Sequence, residues 1–235
     1  DFVSTDQDTP YTGDDYKSLL GSLLFISNGT RPDISYAVCL CARYASAPLT
    51  RHYRALRRIL KYLLGTKHLG LVYSATDFSL NTYADSSYAD DAHDRKSTSG
   101  RTILIDGGPI SWSSEKQKCV ATSTAEAEYM SLGAAAKDVV WTRNLLDEID
   151  ELPPGPSLIY QDNTASISMA TNVKVSSKSK HIQVRHHFVR DLINDKIIYL
   201  EHMPTEHMIA DILTKPLGRV AFERLRDRLV KPANQ

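Results

Sequence analysis

Near Gly70 the apolar residues of this chain change period, which limits it to a helical unit followed by an α/β unit. Before that point Leu19, Leu20, Leu23 and Leu24, then Ile34, Ala37, Val38 and Cys41, then Tyr53, Leu56, Ile59, Leu60, Leu63 and Leu64 recur at spacings of three and four. These spacings predict three amphipathic helices, broken at Asn28-Gly29-Thr30-Arg31-Pro32 and again at Pro48. After it come short runs with strand texture, Leu80 to Asp85, Arg101 to Ile105 and Ile110 to Ser113, the last two joined by the turn sequence Asp106-Gly107-Gly108-Pro109. Ser123-Thr124-Ala125-Glu126 reads as a capping box opening a helix that runs to about Ile149. Strand Leu158 to Gln161, a helix from Asn163, a helix near Val184 to Ile193, strand Ile197 to His202 and C-terminal helices follow. The order βββαβαβα describes a mixed, five-stranded sheet flanked by helices.

The expected division is a polar tether over residues 1–15, a helical segment over 16–74, an α/β domain over 76–230 and a tail over 231–235. A chain of 235 residues can bury a sizeable core as one large domain or two modest ones. Its 28 basic and 28 acidic residues cancel, so bulk charge advertises no partner. The distribution says more: Arg51, Arg54, Arg57, Arg58, Lys61 and Lys67 come without an acid among them, and Lys174 to Arg190 is free of Asp and Glu. Cys39, Cys41 and Cys119 form neither a metal-ligand spacing nor an even disulfide set, which favours a reducing compartment. Without a membrane-length apolar run or a signal-peptide pattern, a soluble intracellular protein is expected, and the start at Asp1 suggests a fragment or processed product.

Asp85, Glu128, Asp162 and Asp211 fall at sheet ends and helix starts in an order that can gather them. Breaking a phosphodiester without a covalent intermediate requires a water to be deprotonated and a leaving alkoxide to be stabilised. Two hard divalent ions bound by carboxylates from several elements do both. Helix phase favours Glu128 over Glu126: Glu128 shares its face with Leu132, Ala135 and Val139, whereas Glu126 suits the cap. Singly, each acid has a structural explanation. Asp162 reads as an N-cap, Asp85 as a turn residue and Asp211 as the polar side of an amphipathic helix, and only the set points to metal chemistry.

"YADSSYADDAHDRKSTSGRTILIDGGPISWSSEKQKCVATSTAEAEYMSL", "IYQDNTASISMA", "SKSKHIQVRHHFVRDLI" and "MPTEHMIADILTKPL" closely resemble the ribonuclease H domain of copia-type retrotransposon polyproteins. The preceding "LLGSLLFISNGTRPDISYAVCLCARYAS" and "RHYRALRRILKYLLGTKHLGL" resemble the segment that connects the polymerase to that domain, so the likeness covers roughly residues 16–230. The resemblance implies a ribonuclease H-like α/β fold, and it implies Asp85, Glu128, Asp162 and Asp211 as catalytic metal ligands. It implies two Mg²⁺, with Mn²⁺ as substitute, and hydrolysis of the RNA strand of an RNA–DNA hybrid to 5′-phosphate and 3′-hydroxyl ends. It also implies the polymerase portion of the same polyprotein as partner and location in a cytoplasmic virus-like particle, while the lack of a membrane-length apolar run leaves no membrane partner expected. A catalytically silent hybrid-binding or assembly module derived from such an element is the alternative. An integrase-type transferase would need a late Glu where this chain has Asp211.

Arg95, Lys96, Ser97, Asn163, Lys178, Lys180 and Arg185 are the expected contacts to the hybrid, through phosphates and 2′-hydroxyls rather than bases. His207, before Asp211, is the candidate for assisting product release. Tyr88-Ala89-Asp90-Asp91 imitates a polymerase metal motif but lies among polar turn residues with no palm upstream, and His181, His186, His187 and His202 lack the Cys pair of a zinc site. Trp112 and Trp141, in apolar periodic contexts, are expected in the core.

Overall fold

The computed structural model describes residues 9–74, 78–171 and 180–233. Three helices come first: α1 (Asp15–Gly29), α2 (Ser35–Ala42) and α3 (Thr50–Gly65). Tyr16, Leu20, Leu23, Ile34, Val38, Cys41, Leu56 and Ile59 close a core between them. The break after Gly29 is held by a buried ion pair. Arg31 donates Nε to Asp33 Oδ1 at 2.9 Å and Nη2 to Asp33 Oδ2 at 2.7 Å, and Tyr62 donates to the same carboxylate at 2.6 Å. Opposite the buried stripe, α3 exposes Arg54, Arg57, Arg58 and Lys61, as the sequence pattern requires.

The remainder is β1 (Leu69–Gly70), β2 (Leu80–Ser87), β3 (Thr98–Ile105), β4 (Gly108–Lys116), α4 (Thr124–Glu148), β5 (Ser157–Gln161), α5 (Thr164–Thr171), α6 (Lys180–Asn194), β6 (Ile198–His202), α7 (Arg219–Leu229) and β7 (Lys231–Pro232). Five strands form one mixed sheet in the order β4-β3-β2-β5-β6. The first three are antiparallel, while β5 and β6 run parallel to β2. Asp106 and Gly107, at φ 51° and 72°, make the two-residue hairpin between β3 and β4, a turn with both central residues left-handed. Ser123 Oγ accepts from the Glu126 amide at 3.2 Å and caps α4.

The sheet divides two apolar layers. On one side Leu80, Ala84, Ile103 and Ile159 meet α4, α5 and α6 through Leu132, Val139, Ala170 and Val189. On the other, Tyr83 and Leu104 meet the 3-10 helix Ile209–Leu213 and Leu225 and Leu229 of α7. Period-two alternation along β2 thus sends Ala84 to one layer and Tyr83, with Asp85 in its phase, to the other.

Three expectations need correction. Trp141 is 65% exposed. The buried face of α4 runs through Glu128, Leu132, Ala135, Val139, Thr142 and Leu146, and a residue two positions after Val139 is turned about 200° from it. Lys231–Pro232, placed in a tail, pairs antiparallel with Leu69–Gly70. Asp85 does not end its strand, since β2 continues to Ser87.

Candidate metal centre

The sheet register explains why Asp85 and Asp162 meet. In the parallel ladder Tyr83 of β2 is opposite Tyr160 of β5, and two residues further along the same register lie Asp85 and Asp162 at the carboxyl edge. Glu128 arrives from the first turns of α4. One oxygen from each of Asp85, Glu128 and Asp162 falls within 4.8 Å of the others, the single such cluster among the described residues.

Each carboxylate is oriented by neighbours. The Ser86 amide donates to Glu128 Oε1 at 3.2 Å. Gln161 Nε2 donates to the Glu128 carbonyl at 2.9 Å and to Oε2 at 3.4 Å, and is itself held by Ser166 Oγ donating to its Oε1 at 3.0 Å. Thr205 Oγ1 donates to Asp162 Oδ2 at 2.7 Å, and Thr214 Oγ1 donates to Asp85 Oδ2 at 2.5 Å. Asp162 does not cap α5: the Ser166 amide donates to Asn163 Oδ1 at 2.9 Å, so Asn163 is the cap and Asp162 is free to face Glu128 and Asp85.

Asp211 lies in the buried 3-10 helix rather than on an amphipathic surface helix. Its carboxyl group faces Asp85 and pairs through Oδ1 with Lys215 Nζ at 2.8 Å, which is also 3.8 Å from Asp85 Oδ2. Gly100 makes this approach feasible. It is opposite Asp85 in the β2–β3 ladder, and a Cβ there would lie 2.6 Å from Thr214 Cγ2, 2.8 Å from the Ala210 carbonyl and 2.8 Å from Leu213 Cβ.

Crowding of acids shows in their ionisation. Burial, then Asp85 and Asp162, push the Glu128 carboxyl up to about 9. Burial, then Asp85, push Asp211 up to about 7, against the opposing pull of Lys215. Among the described residues no cation pairs with Glu128. A buried carboxyl group held by one amide and one glutamine, facing two further carboxylates, is an all-oxygen donor set suited to a hard divalent cation.

The expected nucleic-acid contacts are only partly at the surface. Arg95 is exposed and Lys96, paired with Asp94 at 3.3 Å, is half-buried. Ser97 is buried with its Oγ accepting from the Ala89 amide at 3.0 Å, so it closes a turn instead of meeting solvent. Asn163 uses its side-chain oxygen to cap α5. Lys178 and the side chains of Lys180 and Arg185 lie outside the described residues. His207 is exposed on the 3-10 helix Thr205–His207 beside Glu206, at 3.4 Å. His202 contacts the Asp162 carbonyl at 3.1 Å, and no histidine joins the carboxylate cluster among the described residues. Asp90 and Asp91 are otherwise engaged: Asp90 accepts from Thr98 Oγ1, and Asp91 pairs with Arg43 at 3.2 Å and Lys116 at 2.6 Å.

Sequence reasoning passed over Gly100, Gln161, Thr205, Thr214 and Lys215. Three carried a readable signal: Gly100 directly precedes a strand run, and Thr214 and Lys215 follow Asp211 at the spacings that share a helical face.

No protein-family model matches the chain. The Pol polyprotein of transposon RE2 from Arabidopsis thaliana is 37% identical over 216 residues, 92% of this chain and 15% of that polyprotein. The Pol polyprotein of transposon TNT 1-94 from Nicotiana tabacum is 36% identical over 212 residues, 90% of this chain and 16% of that one. A solved structure of LC11 ribonuclease H1 with an RNA/DNA hybrid superimposes at a TM-score of 0.43 and 18% identity, covering 58% of this chain and 94% of that one. No helix among the described residues is long and apolar enough to cross a membrane.

Proposed function

This chain belongs to the Pol polyproteins of retrotransposons, of which it spans about 15% of the length, and on that premise we propose that it is their ribonuclease H unit, hydrolysing the RNA strand of RNA–DNA hybrids. The observation that carries the reading is the convergence of Asp85, Glu128 and Asp162 within 4.8 Å, with Asp211 set against Asp85 by a separate element. Asp85, Glu128, Asp162 and Asp211 would hold Mg²⁺ or Mn²⁺, which when bound would lower the pKa of an attacking water and offset the charge of a leaving alkoxide. The products are then a 5′-phosphate and a 3′-hydroxyl.

The chain's own residues do the positioning. Thr214 fixes one oxygen of Asp85, Thr205 fixes one of Asp162, and Ser86 and Gln161 hold Glu128 across the sheet end, so the carboxylates keep their geometry without substrate. Arg95 and Lys96, leading into the strand that pairs with β2, would meet phosphates, and the Asn163 NH₂ beside Asp162 suits the 2′-hydroxyl side of an RNA strand. Contacts of this kind are tolerant of sequence and weaken with salt. The cationic face of α3 is available for the duplex or for the polymerase portion of the same polyprotein, in the particle where reverse transcription takes place.

The test is cleavage of an end-labelled RNA–DNA hybrid with and without divalent metal, with duplex DNA and duplex RNA as controls. Metal-dependent loss of the RNA strand alone is expected, and Asp85→Asn or Asp162→Asn should abolish it while the circular dichroism stays native. Metal-dependent activity retained in Asp85→Asn would sink the site assignment. Tight hybrid binding without cleavage in either metal would favour the silent module.

A further inference from the structure

Lys215 is unexplained by the reaction as so far described. Its ammonium is 2.8 Å from Asp211 Oδ1 and 3.8 Å from Asp85 Oδ2, between two carboxylates whose side chains are 7% and 2% exposed. Among the described residues no other cation forms an ion pair with an acid of this site. The four acids also divide unequally. Asp85, Glu128 and Asp162 close on one another, whereas Asp211 stands outside that cluster, faces Asp85 from a separate element and shares Lys215 with it.

Two buried carboxylates turned toward each other repel unless a proton or a cation neutralises one of them. We propose that Lys215 is that resident cation, filling the gap between Asp85 and Asp211, and that a divalent ion enters this gap only when the lysine side chain swings out. The proposal rests on the metal-binding reading of the carboxylates. The lysine is built for such a role. Its backbone N–H donates a hydrogen bond to the Asp211 carbonyl at 3.3 Å and Pro216 follows it, while its four-carbon side chain is a third exposed and opens to solvent. An ammonium and a divalent ion repel in the same gap, so they are alternative occupants. Loading is therefore ordered: the first ion takes the Asp85–Glu128–Asp162 cluster, and the second must displace Lys215.

Mn²⁺ titration of the full chain without nucleic acid, read by calorimetry and by the electron paramagnetic resonance of unbound Mn²⁺, tests this apart from activity. Wild type should bind a first ion and then a second more weakly. In Lys215→Met the second ion should tighten by about tenfold or more, close to 1.4 kcal/mol. The metal-free melting temperature of that variant should fall and its rise on adding Mn²⁺ should grow. Lys215→Arg should behave as wild type, because charge and not shape is what competes. In wild type itself the Lys215 ammonium resonance, assigned by its loss in Lys215→Arg, should move at the second equivalent of Mg²⁺ and not at the first, which keeps the test independent of any variant's folding. A second-ion affinity unchanged in Lys215→Met, or a resonance that moves with the first equivalent, would overturn the resident-cation role alone. Absence of binding in both proteins would overturn the metal reading of the site as well.

Discussion

Glu128 carries much of the tension in this molecule. It is 3% exposed, on the face of α4 that otherwise holds Leu132, Ala135 and Val139, and its partners are an amide and a glutamine. Its carboxyl group, at about 9, holds a proton through the range where an unfolded chain, near 4.5, has lost it. The folded state thus binds more protons than the unfolded one between those values, and stability of the metal-free protein falls as pH rises across that window. Asp211, raised from 3.8 to about 7, acts in the same direction. The metal-free melting temperature should therefore be higher at pH 5 than at pH 8. Glu128→Gln should flatten that dependence and stabilise the metal-free protein at pH 8 by on the order of 1–3 kcal/mol while abolishing cleavage. Melts at several pH values in chelator read this directly; a variant no more stable than wild type at pH 8 would show that Glu128 is not the strained group. Thr214 makes the complementary case. Thr214→Val removes the hydroxyl that holds Asp85 Oδ2, so hybrid cleavage should drop by roughly 10- to 100-fold, a range typical of groups that orient metal ligands, with little change in fold.

At the scale of elements, the site exists because three further pieces of backbone arrive at the sheet edge where β2 carries Asp85. Two were legible in the sequence: the strand end before Asp162 and the phase of Glu128 behind a capping box both follow from local pattern. The third was not. Asp211 reads as the polar side of an amphipathic helix because its neighbours are apolar at helical spacing, yet Ile209–Leu213 is a short 3-10 helix buried on every side. Periodicity reports which residues are apolar, and it cannot distinguish one buried turn from the inner face of a longer helix. Ser97 failed for a related reason: a polar run looks like a surface loop, while Ser97, Thr98 and Ser99 are buried where β3 begins. What brings the third piece in is Gly100, whose missing side chain lets the 3-10 helix lie against β3. Gly100→Ala must displace the Ala210 carbonyl and Leu213 Cβ, both close to rigid backbone, so it should lower the melting temperature by the equivalent of about 1–3 kcal/mol. Because the same shift moves Asp211 from Asp85, cleavage should fall further than stability alone explains, measured at a temperature where the variant is fully folded. Activity equal to wild type in a folded Gly100→Ala protein would show that this approach is not needed for the chemistry.

Across the whole molecule, the helical unit and the sheet have separate cores, but they do not stand apart. Trp112 of β4 donates Nε1 to the Ser27 carbonyl of α1 at 2.8 Å. Arg43, after α2, pairs with Asp91 at 3.2 Å and donates to Thr98 Oγ1 at 2.8 Å, and Thr98 in turn donates to Asp90. The acids of the polymerase-like Tyr88-Ala89-Asp90-Asp91 thus serve as the anchor of this joint. At the opposite end β1 pairs with β7, and Tyr62 of α3 meets Phe222 of α7 edge-on with ring centroids 5.7 Å apart. Joints at three places around the sheet couple the two cores, so the intact chain should unfold in one transition, with calorimetric and van't Hoff enthalpies in agreement. Trp112→Phe removes one hydrogen bond and should lower stability by about 1 kcal/mol. Arg43→Ala leaves Asp91 paired with Lys116, so its loss should be of similar size, not that of an orphaned buried charge. Combined, the two substitutions should weaken the joint enough for the helical unit to open first, seen as faster amide exchange in α1 and α2 than in β2 and as a calorimetric enthalpy that exceeds the van't Hoff value. Two resolved transitions in the wild-type chain would mean that the contacts at Trp112 and Arg43 hold neighbouring units in place without making them one.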